Sequence, residues 1–312
     1  MKTNLKINET TLLEVSRYLD RKNPGCLILS GKSHMGKFTL AKEIAKHLLC
    51  NSPVNGNPCG TCESCVTPLV THPDYKELHP DDGTIRMDQI RALIEEARYA
   101  AVHARHKVFI VDDANTMSQP AQNAMLKLVE DGNRDNIVIF VSHGTLLDTI
   151  QSRCTVIKFS AVDIEEEDPL LAALCSGRYG FVSRYKGSSF LKEVDKFIQT
   201  LSKMDTARDI LVTMNAVKEK DRDYFFEKHA KEDILVFMEL LERIFMEPVE
   251  LNIGIKNIPE FRCTKNVQRI YSVDKLCKIC QEISNGIYAI NNNNYNKNDF
   301  LDLLFSMADV EV

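Results

Sequence analysis

At 312 residues and 44% hydrophobic content, the chain is long enough for two or three domains with real cores. A formal net charge of −5 excludes a protein that coats nucleic acid along its whole length, while leaving room for a local basic patch. No run reaches the roughly 18 apolar residues of a membrane span, and the start MKTNLKINETTLLEV has no apolar signal core, so the expected location is the cytoplasm.

Apolar spacing predicts a short amphipathic helix over Leu12–Arg21. Cys26–Ser30 reads as a buried strand that runs straight into the turn Gly31-Lys32-Ser33-His34-Met35-Gly36-Lys37. Leu40–Leu49 follows as a helix with Ala41, Ile44, Ala45 and Leu48 on one face. A stretch rich in Asn, Pro, Gly and Thr leads to a short strand at Tyr75–Leu78. Next comes a helix over Met87–Ala101, striped by Ile90, Leu93, Ile94 and Ala97. Lys107–Asp113 reads as a buried strand ending in two acids, and Ser118–Glu130 as a helix with Pro120 in its first turn. Asn136–Val141 is another short apolar strand. Strands alternating with helices predict an α/β domain with a mainly parallel sheet, ending near Phe159.

Asp163–Pro169 is an acidic hinge, and no convincing strand follows it. Ile234, Phe237, Met238, Leu241 and Phe245 repeat at helical spacing, as do Val267, Ile270, Leu276, Ile279 and Ile283. An asparagine-rich tract over 291–296 interrupts the pattern before Phe300–Met307 resumes it. The second half is expected to be helical.

Ten cysteines in a chain with no export signal are expected to be reduced. Four of them, Cys50, Cys59, Cys62 and Cys65, are spaced C-x8-C-x2-C-x2-C, dense enough to surround one tetrahedral Zn²⁺. Four thiolates leave no open position, so such a zinc is structural. Cys277 and Cys280 lie in a helical pattern without a second pair, and they read as helix-face residues.

The turn before the first long helix fits most of the phosphate-loop pattern G-x-x-x-x-G-K-[ST], through Gly31, Gly36 and Lys37. Its hydroxyl position is Phe38, which cannot ligate Mg²⁺. Thr39, one residue on, points about 100° further round the helix. Backbone N–H groups and Lys37 keep the means to hold ATP silently, but hydrolysis is not expected. Asp112-Asp113 resembles a Walker B element, with Asp112 serving the metal. Asp113 stands where active ATPases usually carry Glu, and its shorter side chain sets the carboxylate back. Ser152-Arg153-Cys154 offers Arg153 as a guanidinium that reaches a neighbour's phosphates.

Taken together, Gly31–Lys37, the four cysteines, Lys107–Ala114, Asn123–Glu130 and Ser152-Arg153-Cys154 resemble the bacterial DNA polymerase III clamp loader over roughly residues 10–160. The resemblance implies an AAA+ P-loop domain with an inserted zinc module (1–160, module 50–65), a reduced helical lid (161–190) and an all-α collar that oligomerises (191–312). It implies a hetero-pentamer with gamma/tau motor subunits and a delta subunit, which acts on a sliding clamp and primed DNA. Phe38 and Asp113 place the chain with the family's non-hydrolysing stator, whose Ser152-Arg153 arginine serves an adjacent motor in trans. The alternative within the family is an ATP-hydrolysing motor subunit. A stand-alone zinc-dependent nucleic-acid module over 45–80 is disfavoured, since that segment holds Lys46 and Lys76 as its few basic residues.

Overall fold

The computed structural model describes residues 3, 5–21, 23–54, 57–130, 135–162, 168–209, 230–255, 261–291, 303 and 307. The chain divides into two compact units, 1–164 with 177–181, and 165–176 with 182–312. The acidic hinge at 163–167, most of the asparagine tract, and all but two residues of the stretch resumed at 300–307 lie outside the described residues.

In the first unit, helix α1 (Glu9–Leu19) precedes strand β1 (Leu27–Ser30). Asn8 accepts the Thr10 N–H at 2.9 Å, so the side-chain cap starts α1 three residues before the apolar spacing does. Helix α2 (Lys37–Leu49) leads to the short α3 (Glu63–Val66) and then to β2 (Tyr75–Leu78). Helix α4 (Met87–Glu96), β3 (Lys107–Val111), α5 (Gln119–Glu130) and β4 (Asn136–Ser142) follow in alternation. A one-turn α6 (Asp148–Gln151) and β5 (Thr155–Lys158) complete the sheet. Helix α4 stops at Glu96 rather than running on to 101. There the Lys107 ammonium takes the Glu96 carbonyl at 3.1 Å and the Asn136 amide takes the Ala97 carbonyl at 2.7 Å.

The five strands are parallel in the order β2-β3-β4-β1-β5, with Ile28 beside Phe140 on one side and Val156 on the other. Successive side chains alternate between two cores. Leu27, Leu29, Val108 and Ile110 meet α1 and α2 on one face, whereas Ile28, Phe109, Val111 and Phe140 meet α4 and α5 on the other. Such a two-faced burial explains why β3 and β4 read as continuous apolar runs. Strand β5 escapes that reading because only Ile157 of its four residues is buried.

Asp74, just before β2, is 1% exposed and organises a loop. Its carboxylate accepts the N–H groups of Val102, His103 and Ala104 at 2.6, 2.7 and 2.8 Å. Burial alone would push its pKa up; the three N–H donors outweigh burial and hold it below the ordinary carboxylate range. A depressed pKa stabilises the fold above pH ~4, and this contribution is lost as pH falls through the folded value. Asp74→Ala strands three donors, so thermal melting at neutral pH is expected to show a loss of about 3 kcal/mol. The deficit should narrow in acid; an undiminished deficit there counts against the carboxylate as its source.

The described elements of the second unit are helices, namely α7 (Pro169–Cys175), α8 (Gly180–Tyr185, whose first two residues belong with the first unit), α9 (Ser189–Leu201), α10 (Lys231–Asn252), α11 (Thr264–Ile270) and α12 (Val273–Asn291). The boundary expected at 190–191 falls inside α9, where Phe190, Leu191 and Val194 are buried. Helix α10 is the spine, with Phe237, Leu241 and Phe245 buried and the Phe245 ring 5.8 Å from Tyr271. On α12 Cys277 is exposed and Cys280 is buried. No helix among the described residues is long and apolar enough to cross a membrane.

Candidate functional site

The loop between β1 and α2 has phosphate-loop geometry. Gly36 caps α2 in the left-handed region at φ 81°, which a glycine adopts without strain. Lys37, the first helical residue, is only 5% exposed. Its ammonium donates to the carbonyls of Gly31, at 2.7 Å, and Lys32. Burial pulls its pKa down to about 8, against the opposing pull of Asp113 and Asp112. His34 is pinned as well: its ring stacks on Phe181 at 4.1 Å and its carbonyl accepts the Gly180 N–H at 3.0 Å. A Cβ at position 180 would meet that carbonyl oxygen at 2.6 Å, so the approach requires glycine.

The Phe38 ring takes Lys42 Nζ over its face at 4.3 Å and the His79 ring against it at 5.2 Å. Thr39 is exposed, turned away as the helical rotation requires. Asp112 ends β3, where burial and then the Asp113 charge push its pKa up. It lies 3.5 Å from His79 Nδ1 and accepts the Asp113 N–H at 3.1 Å. Asp113 takes a left-handed conformation at φ 45° and its carboxylate sits 3.0 Å from His143 Nδ1. Asn115 Oδ1 accepts from the Ser142 hydroxyl and the His143 N–H, both at 3.1 Å. His79, Asn115 and His143 were not singled out in the sequence. The signal was available, since polar residues at the carboxyl ends of parallel strands line the crevice where such sheets bind ligands.

Arg153 follows α6 and precedes β5. Its guanidinium donates to the Thr149 carbonyl at 2.9 Å and the Ser152 hydroxyl at 3.3 Å, and pairs with Glu130 at 2.7 Å. Ser152 itself donates to Thr149 O at 3.2 Å. The Arg153 side chain keeps 41% of its surface exposed. The group is aimed by its own chain yet remains open to another.

Cys50 caps the C-terminus of α2, Cys62 is the N-cap of α3 and Cys65 is its third residue. One sulfur from each of Cys50, Cys59, Cys62 and Cys65 lies within 4.8 Å of the others, a cluster that could hold a metal ion. The Cys59 N–H donates to Cys50 Sγ at 3.2 Å and the Cys62 N–H to Cys59 Sγ at 3.3 Å. N–H donors favour thiolate, the ligating form, and they draw Cys59 down to about 6, while burial drives Cys65 up. Donor set and spacing fit a tetrahedral S₄ site. Asn51 Nδ2 to His103 O at 2.8 Å and His103 to Glu63 at 3.0 Å tie this segment to the loop that Asp74 orders. The phosphate loop and the cysteines stand at opposite ends of α2, roughly 20 Å apart for 13 residues.

Residues 12–163 match the family described as DNA polymerase III, delta subunit. Over 132 residues the chain is 37% identical to the DNA polymerase III subunit delta' of Pseudomonas aeruginosa. Over this stretch the chain is similar to delta-prime clamp-loader subunits. That stretch covers 41% of this chain and 40% of the relative's length. The Bacillus subtilis delta' subunit is 26% identical over 244 residues, 73% of this chain and 72% of that one. The gamma/tau subunit of Mycobacterium tuberculosis is 34% identical over 152 residues, 47% of this chain and 26% of that one. A solved gamma subunit-related protein from Thermotoga maritima covers 96% of this chain and 99% of its own at 16% identity and a TM-score of 0.50, which is a likeness of fold.

Proposed function

We propose that this chain is the non-hydrolysing stator of a DNA polymerase III clamp loader. In this reading Arg153 reaches the γ-phosphate of ATP bound to an adjacent gamma/tau motor subunit and stabilises the charge that develops there. The observation that carries it is a contrast within one domain. Phe38 fills the Mg²⁺-hydroxyl position and Asp113 stands where active ATPases carry Glu, while Arg153 stays exposed and oriented. Ser152 holds the guanidinium from one side and Glu130 from the other. Gly31, Gly36 and Asp112 remain as the frame of a degenerate nucleotide site that takes no part in turnover, with Thr39 turned away from it.

The helices of 161–190 serve as lid and those of 191–312 as a collar joining a hetero-pentamer with the motor and delta subunits. The complex opens a sliding clamp and closes it on primed DNA, and this chain's own DNA contacts are to phosphates and modest, given its acidic balance. A zinc ion held by Cys50, Cys59, Cys62 and Cys65 staples the excursion between α2 and β2 and does no chemistry.

The test is ATP turnover by the reconstituted complex carrying Arg153→Ala; unchanged DNA-stimulated turnover overturns the role of Arg153. The motor reading is kept alive by the gamma/tau relatives, and the isolated chain decides it. Turnover of Mg²⁺-ATP that Lys37→Ala abolishes would make this chain a motor.

A further inference from the structure

Strand β2 is an edge of the sheet, and its outer side is unspent. Val108 N–H donates to Asp74 O at 2.8 Å and Asp112 N–H to Leu78 O at 2.9 Å, so positions 74, 76 and 78 face β3. Tyr75 N–H turns back to His72 O at 3.2 Å. The Tyr75 carbonyl and both backbone groups of Glu77 point away from the sheet, and among the described residues no backbone partner meets them. A cavity of about 490 Å³ lies along this edge, with Phe109 on its wall and Val70, 93% exposed, beside it. His72 also lines it and is 3% exposed. Its Nδ1 accepts the Asp74 N–H at 3.0 Å, so Nε2 carries the proton, and Nε2 has no hydrogen-bond partner.

The lining charges are already committed. Asp74 binds three N–H groups, Lys107 pairs with Glu96, and Glu77 takes the Tyr75 hydroxyl, His79 and Lys42. Lys76 stays exposed. What lacks a partner is backbone and one imidazole N–H, which is the demand of an extended peptide rather than a charged small molecule. A second copy of this chain is the wrong occupant. Antiparallel self-pairing must set outward positions opposite each other. Two registers oppose Glu77 to Glu77 or Lys76 to Lys76, and directly opposed like charges disfavour them; the third, Tyr75 opposite Tyr75, needs the Tyr75 N–H already given to His72 O.

We propose that the outer edge of β2 receives an extended strand from a different protein, with an acidic residue opposite Lys76 and aliphatic residues two positions to either side covering the cavity wall at Phe109. The probe is the peptide Val-Thr-Asp-Thr-Val, acylated at its N-terminus with carboxyfluorescein and amidated at its C-terminus, titrated into the full chain. Saturable binding is expected, with amide exchange slowed at Glu77. Measured against Glu77→Ala, which removes only the carboxylate held by Tyr75, His79 and Lys42, Glu77→Pro deletes an outward N–H at a position where an edge strand tolerates proline. It should weaken binding at least about tenfold. Lys76→Glu should do likewise and should instead favour the peptide carrying Lys for Asp. Circular dichroism checks that the variants fold. The proposal is overturned by no saturation at millimolar peptide, by equal binding to Glu77→Pro and Glu77→Ala, or by Glu77 exchange that slows with protein concentration alone.

Discussion

Arg153→Ala is expected to leave assembly intact and to lower turnover at the neighbouring ATP site on the order of a thousandfold. The guanidinium touches Thr149, Ser152 and Glu130 at the surface, and none of these contacts holds the core, so the fold should survive. In the proposed arrangement this subunit serves one adjacent motor site, so single-turnover hydrolysis resolved by site is the right measurement. The ensemble rate would mix the affected site with the others. Arg153→Lys should not restore the rate, because an ammonium cannot present two parallel donors to a phosphate. Glu130→Ala separates aiming from chemistry. A half-exposed ion pair is worth about 0–1 kcal/mol, so that variant should lose no more than about fivefold. If Glu130→Ala fell as far as Arg153→Ala, the pair rather than the arginine would be the active unit.

The parts of this site that were legible in the sequence are those set by local pattern. Buried parallel strands are continuous apolar runs, so β1, β3 and β4 announced themselves, and with them the ends where Lys37, Asp112 and the arginine motif sit. The cysteine spacing likewise anticipated four sulfurs in one place. What stayed hidden depends on pairs distant in the chain. His79 meets Asp112 and Phe38, and His143 meets Asp113, only because β2, β3 and β4 end side by side. The inward turn of Lys37 was hidden for a different reason. The pattern G-x-x-x-x-G-K specifies a backbone, and the rotamer follows from what the pocket holds. Here the loop carbonyls meet the ammonium, and His34 is fixed by Phe181 and Gly180 from a segment about 145 residues away, a span that periodicity and spacing do not sense.

Metal removal should produce the other large effect, and a strictly local one. The purified chain is expected to carry one zinc, and Cys59→Ser or Cys62→Ser to drop the content well below stoichiometric by elemental analysis. Structural zinc sites in small modules contribute about 10–16 kcal/mol at neutral pH, so the ion outweighs any contact this short segment makes for itself. Without it, α3 has four residues and a single buried side chain, Ser64, too little to persist alone. Amide exchange over 57–66 should therefore rise towards that of free peptide. The sheet should be unmoved, because β1, β3 and β4 draw on two cores to which the cysteine loop adds little beyond Leu69. Loss of metal should also be steep in acid, since ligation needs thiolates. The Arg153 effect on the neighbour should survive in the Cys62→Ser protein, given the length of α2 between the two sites. The idea fails if all four thiols in the untreated protein react with a thiol reagent as fast as exposed Cys277 does, because ligated sulfurs are protected. It fails too if chelation speeds exchange in β3 and β4 as much as in 57–66, for then the ion would be holding the domain and not a loop.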